Sequence, residues 1–183
     1  MGDRSPGFFF AYGKSQHFDL GQELLIFARH LDTLHSVVVI QDTLIRMTPK
    51  QADLIRRSFD AIWPVRRKIA SRFYRCFFEL APDAQRLFPS DMERQHLKLM
   101  DMIAAIVGAL DERELFQSII GHTGRQHARF GVNPSHFVAF GDALIWSLEQ
   151  QFGPAFTPEL REAWIALYNA VRSEMICAAQ EAA

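Results

Sequence analysis

Three side chains in this sequence have types and spacings that could do chemistry together: Tyr74, Gln95 and His127. His127 continues an apolar stripe of Phe116, Ile120 and Thr123, so a helix there turns its imidazole inward rather than toward water. A lone inward histidine is most often a satisfied core residue, but an imidazole with one free nitrogen is also the commonest protein ligand for a metal. Its surroundings favour the second reading. Gln95 shares a face with Leu99 and Met102, and it stands 32 residues before His127. That is chain enough to cross back and set two helices on opposite sides of a flat cofactor. Tyr74 brings a hydroxyl, and Phe88, one turn before the Gln95 helix, brings an aromatic plane that could stack on such a cofactor. Histidine on one side and two hydrogen-bond donors on the other would hold a metal-bearing plane and stabilise negative charge on whatever it binds.

The elements that must position these residues are helices. Apolar positions recur at intervals of three and four after residue 48, and no stretch alternates with period two long enough to form a sheet. Thr48-Pro49, Asn133-Pro134 and Thr157-Pro158 each offer an N-cap oxygen followed by a ring suited to the first helical position. Asp111 with Glu114 makes a further capping box, Pro64 interrupts after Trp63, and Pro82 opens a short turn before Phe88. The implied helices span 49–63, 64–80, 82–88, 91–110, 112–129, 134–152 and 158–181. Three apolar stripes support them: Leu99, Met100, Ile103, Ile106, Val107 and Leu110; Phe137, Phe140, Leu144 and Leu148; Leu160, Ala163, Trp164, Leu167, Val171 and Met175. Helices this amphipathic must pack on one another.

Residues 1–46 differ in kind. Glycines, polar residues and the run Phe8-Phe9-Phe10 precede a weakly helical spacing of Leu20, Leu24, Ala28 and Leu31, and Met47 stands directly before the first good N-cap. Two readings stay open for this extension: an extra helix, or a product of an upstream start codon. Residues 47–183 then form the main domain.

Bulk composition narrows the function classes. The chain has 183 residues, 49% of them hydrophobic with 16 phenylalanines, which suffices for one sizeable core. Twenty basic and 21 acidic side chains leave a formal charge of -1, so no global field recruits nucleic acid or an anionic membrane. Cys76 and Cys177 lie far apart within apolar-periodic segments, without CxxC or Cys/His metal spacing, and read as buried, reduced thiols. The run from Phe8 to Tyr12 is too short for a secretory core, and no apolar stretch is long enough to span a membrane. A cytoplasmic location is expected.

Five motifs in register carry a specific resemblance: Phe73-Tyr74-x-x-x-Phe77, Leu87-Phe88, Gln95-x-x-Lys98-Leu99-Met100, Gly124-Arg125-x-His127-x-x-x-Gly131-Val132 and Ala163-Trp164-x-x-x-Tyr168. Over residues 47–183 the chain resembles a bacterial single-domain globin of the flavohaemoglobin type. The resemblance implies an all-α globin fold of seven to eight helices around haem b, with His127 as the proximal ligand to iron. It implies that Phe88 stacks on the haem, that Tyr74 and Gln95 face the gas ligand as the distal pair, and that Leu99 crowds that ligand. His96 remains the alternative to Gln95 in the pocket, and Lys98 is either a surface lysine or a partner for a haem propionate. Phe140 is expected to touch the porphyrin. The remaining histidines, His17, His30, His35, His122 and His136, read as surface or core residues.

The chain departs from that pattern at two places. The family sets a tyrosine ten residues after the proximal histidine and a glutamate on the last helix, whereas Phe137 and Ala179 occupy those positions here. A proximal relay of that kind is therefore missing. No GxGxxG dinucleotide fingerprint is present either, so electrons for any redox cycle would come from an external reductase. The expected function is reversible binding of a diatomic gas (O2, NO or CO), above all dioxygen at ferrous iron. Nitric oxide dioxygenation with an outside reductase is the enzymatic alternative, and a globin-fold sensory or interaction module is the third.

Overall fold

The structure is a computed structural model that describes residues 47–180. The expectations for residues 1–46 lie outside the described residues. Six α-helices follow in order: α1 (Pro49–Ile62), α2 (Arg66–Leu80), α3 (Glu93–Gly108), α4 (Arg113–Arg129), α5 (Pro134–Phe152) and α6 (Pro158–Gln180). Three 3-10 turns sit between them, at Trp63–Val65, Pro82–Leu87 and Gly153–Ala155, and no strand occurs among the described residues. This is the all-α architecture that the periodicity demanded.

The caps explain the helix starts. The Thr48 hydroxyl accepts the Gln51 amide at 3.2 Å while the Gln51 side chain accepts the Thr48 amide at 2.9 Å. Asn133 does the same for α5: its Oδ1 accepts from His136 N at 3.1 Å, and His136 Nδ1 accepts from Asn133 N at 3.3 Å. Satisfying first-turn N–H groups in this way typically stabilises a helix by about 1 kcal/mol. Two boundaries differ from expectation. The ring of Pro64 blocks a continuous helix, so the chain takes a 3-10 turn at Trp63–Val65 before α2 begins at Arg66. The Asp111–Glu114 capping box does not form: Glu112 occupies the cap position without a side-chain bond, and Asp111 instead pairs with Arg56 of α1 at 2.6 Å. A guanidinium is a stronger donor to a carboxylate than a main-chain amide, so the interhelical pair prevails.

The expected helix at 82–88 is a six-residue 3-10 turn, Pro82–Leu87, which delivers Phe88 in an extended conformation.

α4 packs most extensively on α6, and α2 on α5. Gly124 makes the first pairing possible, because a Cβ there would lie 2.5 Å from the Met175 carbonyl oxygen. α4 therefore approaches the α6 backbone directly, which sets the height of His127 one turn further on. Cys76 is buried as expected, whereas Cys177 falls on the exposed face of α6. The centre of the core holds Trp164, Phe73, Ile55, Met100, Ile120 and Leu148, all under 2% exposed. Burying each such side chain contributes roughly 1.5–3 kcal/mol. The indole Nε1 of Trp164 donates to Ser58 Oγ at 3.0 Å, satisfying the buried polar ends of α6 and α1 together.

Candidate functional site

Between α3 and α4 the helices leave a cavity of about 470 Å³, within the size range of cofactor and ligand sites. α3 contributes Gln95, Lys98, Leu99, Met102, Ile103 and Ile106. α4 contributes Thr123 and His127, and the loop after it Phe130 and Val132. Leu87, Phe88 and Pro89 close one edge, α2 brings Tyr74 and Phe77, and α5 and α6 complete the lining with Phe137, Phe140, Trp164 and Tyr168 among others. Every residue singled out from the sequence, Tyr74, Phe88, Gln95, Lys98, Leu99, His127 and Phe140, lines this one space.

Among the described residues two imidazoles face the cavity, His127 and His136, and their hydrogen bonds distinguish them. Both nitrogens of His136 are engaged, Nδ1 with the Asn133 amide at 3.3 Å and Nε2 with Asp83 Oδ2 at 2.9 Å. His127 uses only Nδ1, which donates to the Thr123 carbonyl oxygen at 2.8 Å, one helical turn back. That bond fixes the tautomer and leaves the Nε2 lone pair available, which is the state a metal-ligating histidine needs. Phe137 lies beside it, with ring centroids 6.4 Å apart. No group of three or more His, Cys, Asp or Glu side chains that could hold a bare ion occurs among the described residues. A metal facing His127 would have to arrive inside a prosthetic group. A largely apolar cavity with one available imidazole nitrogen fits haem in its size, its lining and its single protein ligand.

Across the cavity, Gln95 Nε2 donates to the Tyr74 hydroxyl oxygen at 3.2 Å. With its oxygen accepting from the amide, the Tyr74 hydroxyl keeps its own proton to donate elsewhere. Tyr74 is 5% exposed, and burial pushes its pKa up to about 12 against a smaller opposing effect of the Gln95 bond. It is thus a neutral donor throughout the physiological range. An aromatic cage holds the ring: Phe73, Phe78 and Phe88 lie 5.0, 5.7 and 5.5 Å from it. His96 stacks on the outer side of Tyr74 at 5.5 Å, with Nδ1 3.9 Å from Glu93, and it is not among the cavity-lining residues. Of the two neighbours, Gln95 is the one that the helix turns toward the cavity.

Other residues that the sequence marks only as motif or stripe positions, or not at all, reach the same space. Tyr168 donates its hydroxyl to the Phe137 carbonyl oxygen and stacks on Phe140 at 5.8 Å. Gly141 makes room for it, since a Cβ there would lie 2.5 Å from Tyr168 Cε1. Burial drives the Tyr168 pKa upward, so it too stays protonated. Arg172 and Met175 of α6 also reach the lining, as does Met102, whose sulfur lies 3.9 Å from the Thr123 hydroxyl. The α6 stripe marked these positions as inward, but not that the inward side faces a cavity as well as the core. Nδ1 of His127 is held by the Thr123 main-chain carbonyl, and among the described residues no carboxylate bonds to it.

A globin family model matches residues 71–175, more than half of the chain. The chain belongs to the globin family. Similar proteins include the neuroglobin of Danio rerio, 29% identical over 144 residues that span 71% of this chain and 91% of that protein. The neuroglobins of Tetraodon nigroviridis and Chaenocephalus aceratus are each 28% identical with the same coverage. These relatives support the globin assignment and lend none to the bacterial flavohaemoglobin subtype that the motifs resembled. Haem b, with its iron, is the cofactor of the family and of this chain, and diatomic gases are its ligands. No helix among the described residues is long and apolar enough to cross a membrane.

Proposed function

We propose that this globin binds dioxygen reversibly, with His127 as the ligand to ferrous haem iron and Tyr74 and Gln95 as donors to the bound gas. The haem supplies an iron that takes up a diatomic molecule and shifts negative charge onto it. His127 would hold that iron through Nε2, with its basicity set by the bond from Nδ1 to the Thr123 carbonyl. Phe88 and Phe140 line the cavity where they would pack against the haem, and the exposed Lys98 would pair with a propionate. The observation that carries the reading is the Tyr74–Gln95 pair. A buried hydroxyl that accepts from an amide at 3.2 Å has its proton free for the ligand, in a place where little water competes. Leu99, 8% exposed, narrows the space beside it.

The test is an oxygen equilibrium and dissociation measurement on the reduced, haem-loaded protein. Stable, reversible oxygen binding with slow release supports carriage or storage. Sustained conversion of NO to nitrate, with dioxygen consumed and an external reductase returning the iron to the ferrous state, would instead assign the Tyr74–Gln95 pair to nitric oxide dioxygenation.

A further inference from the structure

His136 is 3% exposed, lines the cavity, and binds no group that the function above requires. Its imidazole joins three stretches of chain. Nδ1 accepts the amide of Asn133, in the loop that follows His127, and Nε2 donates to Asp83, 53 residues away on the 3-10 turn that leads into Phe88. The third stretch is α5 itself, whose first turn also bears Phe137. Gly131, with φ at 74°, turns the loop toward this junction. Leu87 and Phe88, which follow the Asp83 turn, and Phe130 and Val132, which precede Asn133, all line the cavity, and His136 joins these two stretches through its bonds to Asp83 and to the Asn133 amide.

We infer that the Asp83–His136 bond is a clasp that sets how fast haem leaves: it ties the Phe88 segment to the loop following His127, and haem passes out only when the two part. The inference rests on the cavity being the haem site. The clasp is asymmetric in a useful way. Asp83 is 55% exposed and accepts from a buried donor, so the acceptor can be removed without opening a hole in the core. The imidazole N–H then loses its partner while buried, which favours the parted arrangement.

Haem transfer from the full-length ferric protein to excess apomyoglobin, followed by absorbance, tests this. Asp83→Ala should lose haem about three- to tenfold faster than wild type. Asp83→Asn should stay within about twofold, because its amide oxygen still accepts from His136. Asp53→Ala is the control: it deletes an exposed ion pair with Arg57, 3.0 Å long, on α1. Nitrogen-15 spectra of His136 supply a second readout that general destabilisation does not move: Nε2 protonated and Nδ1 not in wild type, with faster exchange of the Nε2 proton in Asp83→Ala. Wild-type release from Asp83→Ala, or equal acceleration by Asp53→Ala, overturns the clasp. A protein that shows no Soret band when haem is supplied overturns the haem reading and the clasp together, and is recognised before any transfer is measured.

Discussion

Replacing Tyr74 with phenylalanine removes one hydroxyl and leaves the aromatic cage of Phe73, Phe78 and Phe88 in place. The lost interaction is a donor to a partly negative ligand in a site from which water is largely excluded, worth about 1.5–3 kcal/mol. At 1.36 kcal/mol per factor of ten, that corresponds to roughly ten- to a hundredfold faster oxygen release. The geometry narrows the range. Gln95 Nε2 now spends a hydrogen bond on the tyrosine oxygen at 3.2 Å, and without that oxygen the amide is free to turn to the ligand and recover part of the loss. The expected increase for Tyr74→Phe is therefore about tenfold. Gln95→Leu leaves the hydroxyl donor intact and should accelerate release less. Stopped-flow displacement of oxygen by carbon monoxide measures both rates. With the Tyr74 pKa pushed up to about 12, the wild-type rate should not vary through ionisation of this group between pH 6 and 10. A wild-type release rate in Tyr74→Phe, with faster release in Gln95→Leu or His96→Ala, would refute the reasoning and move the donor to α3.

Gly141→Ala puts a Cβ 2.5 Å from the Tyr168 ring, so the ring must shift and its bond to the Phe137 carbonyl must loosen. A loss of about 1–3 kcal/mol in urea unfolding is expected, and an unchanged midpoint would show that α5 and α6 are not packed as described. The hydrogen bond with His136 is the chief cause holding the Asp83 carboxyl below its ordinary value. Folding thus favours its charged form, and this contribution is present above the unfolded value and lost as pH falls through the folded one. Acid titration of stability should be shallower below about pH 4 in Asp83→Asn than in wild type. A chain beginning at Met47 should still take up haem, because the Thr48–Gln51 box completes the start of α1 and the cavity-lining residues among those described all lie downstream. Absorbance and thermal unfolding of that chain decide it.

The helices were legible because proline and capping residues announce themselves locally. Thr48-Pro49 and Asn133-Pro134 begin helices where their chemistry says they must. What local signals could not supply was competition over distance. Asp111 had a plausible cap partner three residues on, and only the fold could bring Arg56 to it instead. The site shows the same division. Tyr74, Gln95 and His127 stood out because inward polar residues on apolar stripes are costly unless used, and helical phase alone turns Gln95 toward the cavity and His96 away. Asp83 and His136 did not stand out. Each is ordinary in its own stretch, and their pairing exists only because a turn and a loop 53 residues apart meet at the cavity edge. The globin subtype was likewise not readable from the five motifs, and the similar proteins include the neuroglobins of Danio rerio and Tetraodon nigroviridis.

The central claim, that His127 holds haem iron through its one available nitrogen, is tested most directly by the ferrous resonance Raman spectrum of wild type and His127→Ala. Wild type should take up one haem per chain and show an iron–histidine stretch, its frequency reflecting the main-chain bond from Thr123. His127→Ala should lose the haem or that band, and added imidazole should restore it. A variant that kept the wild-type spectrum without imidazole would contradict the account.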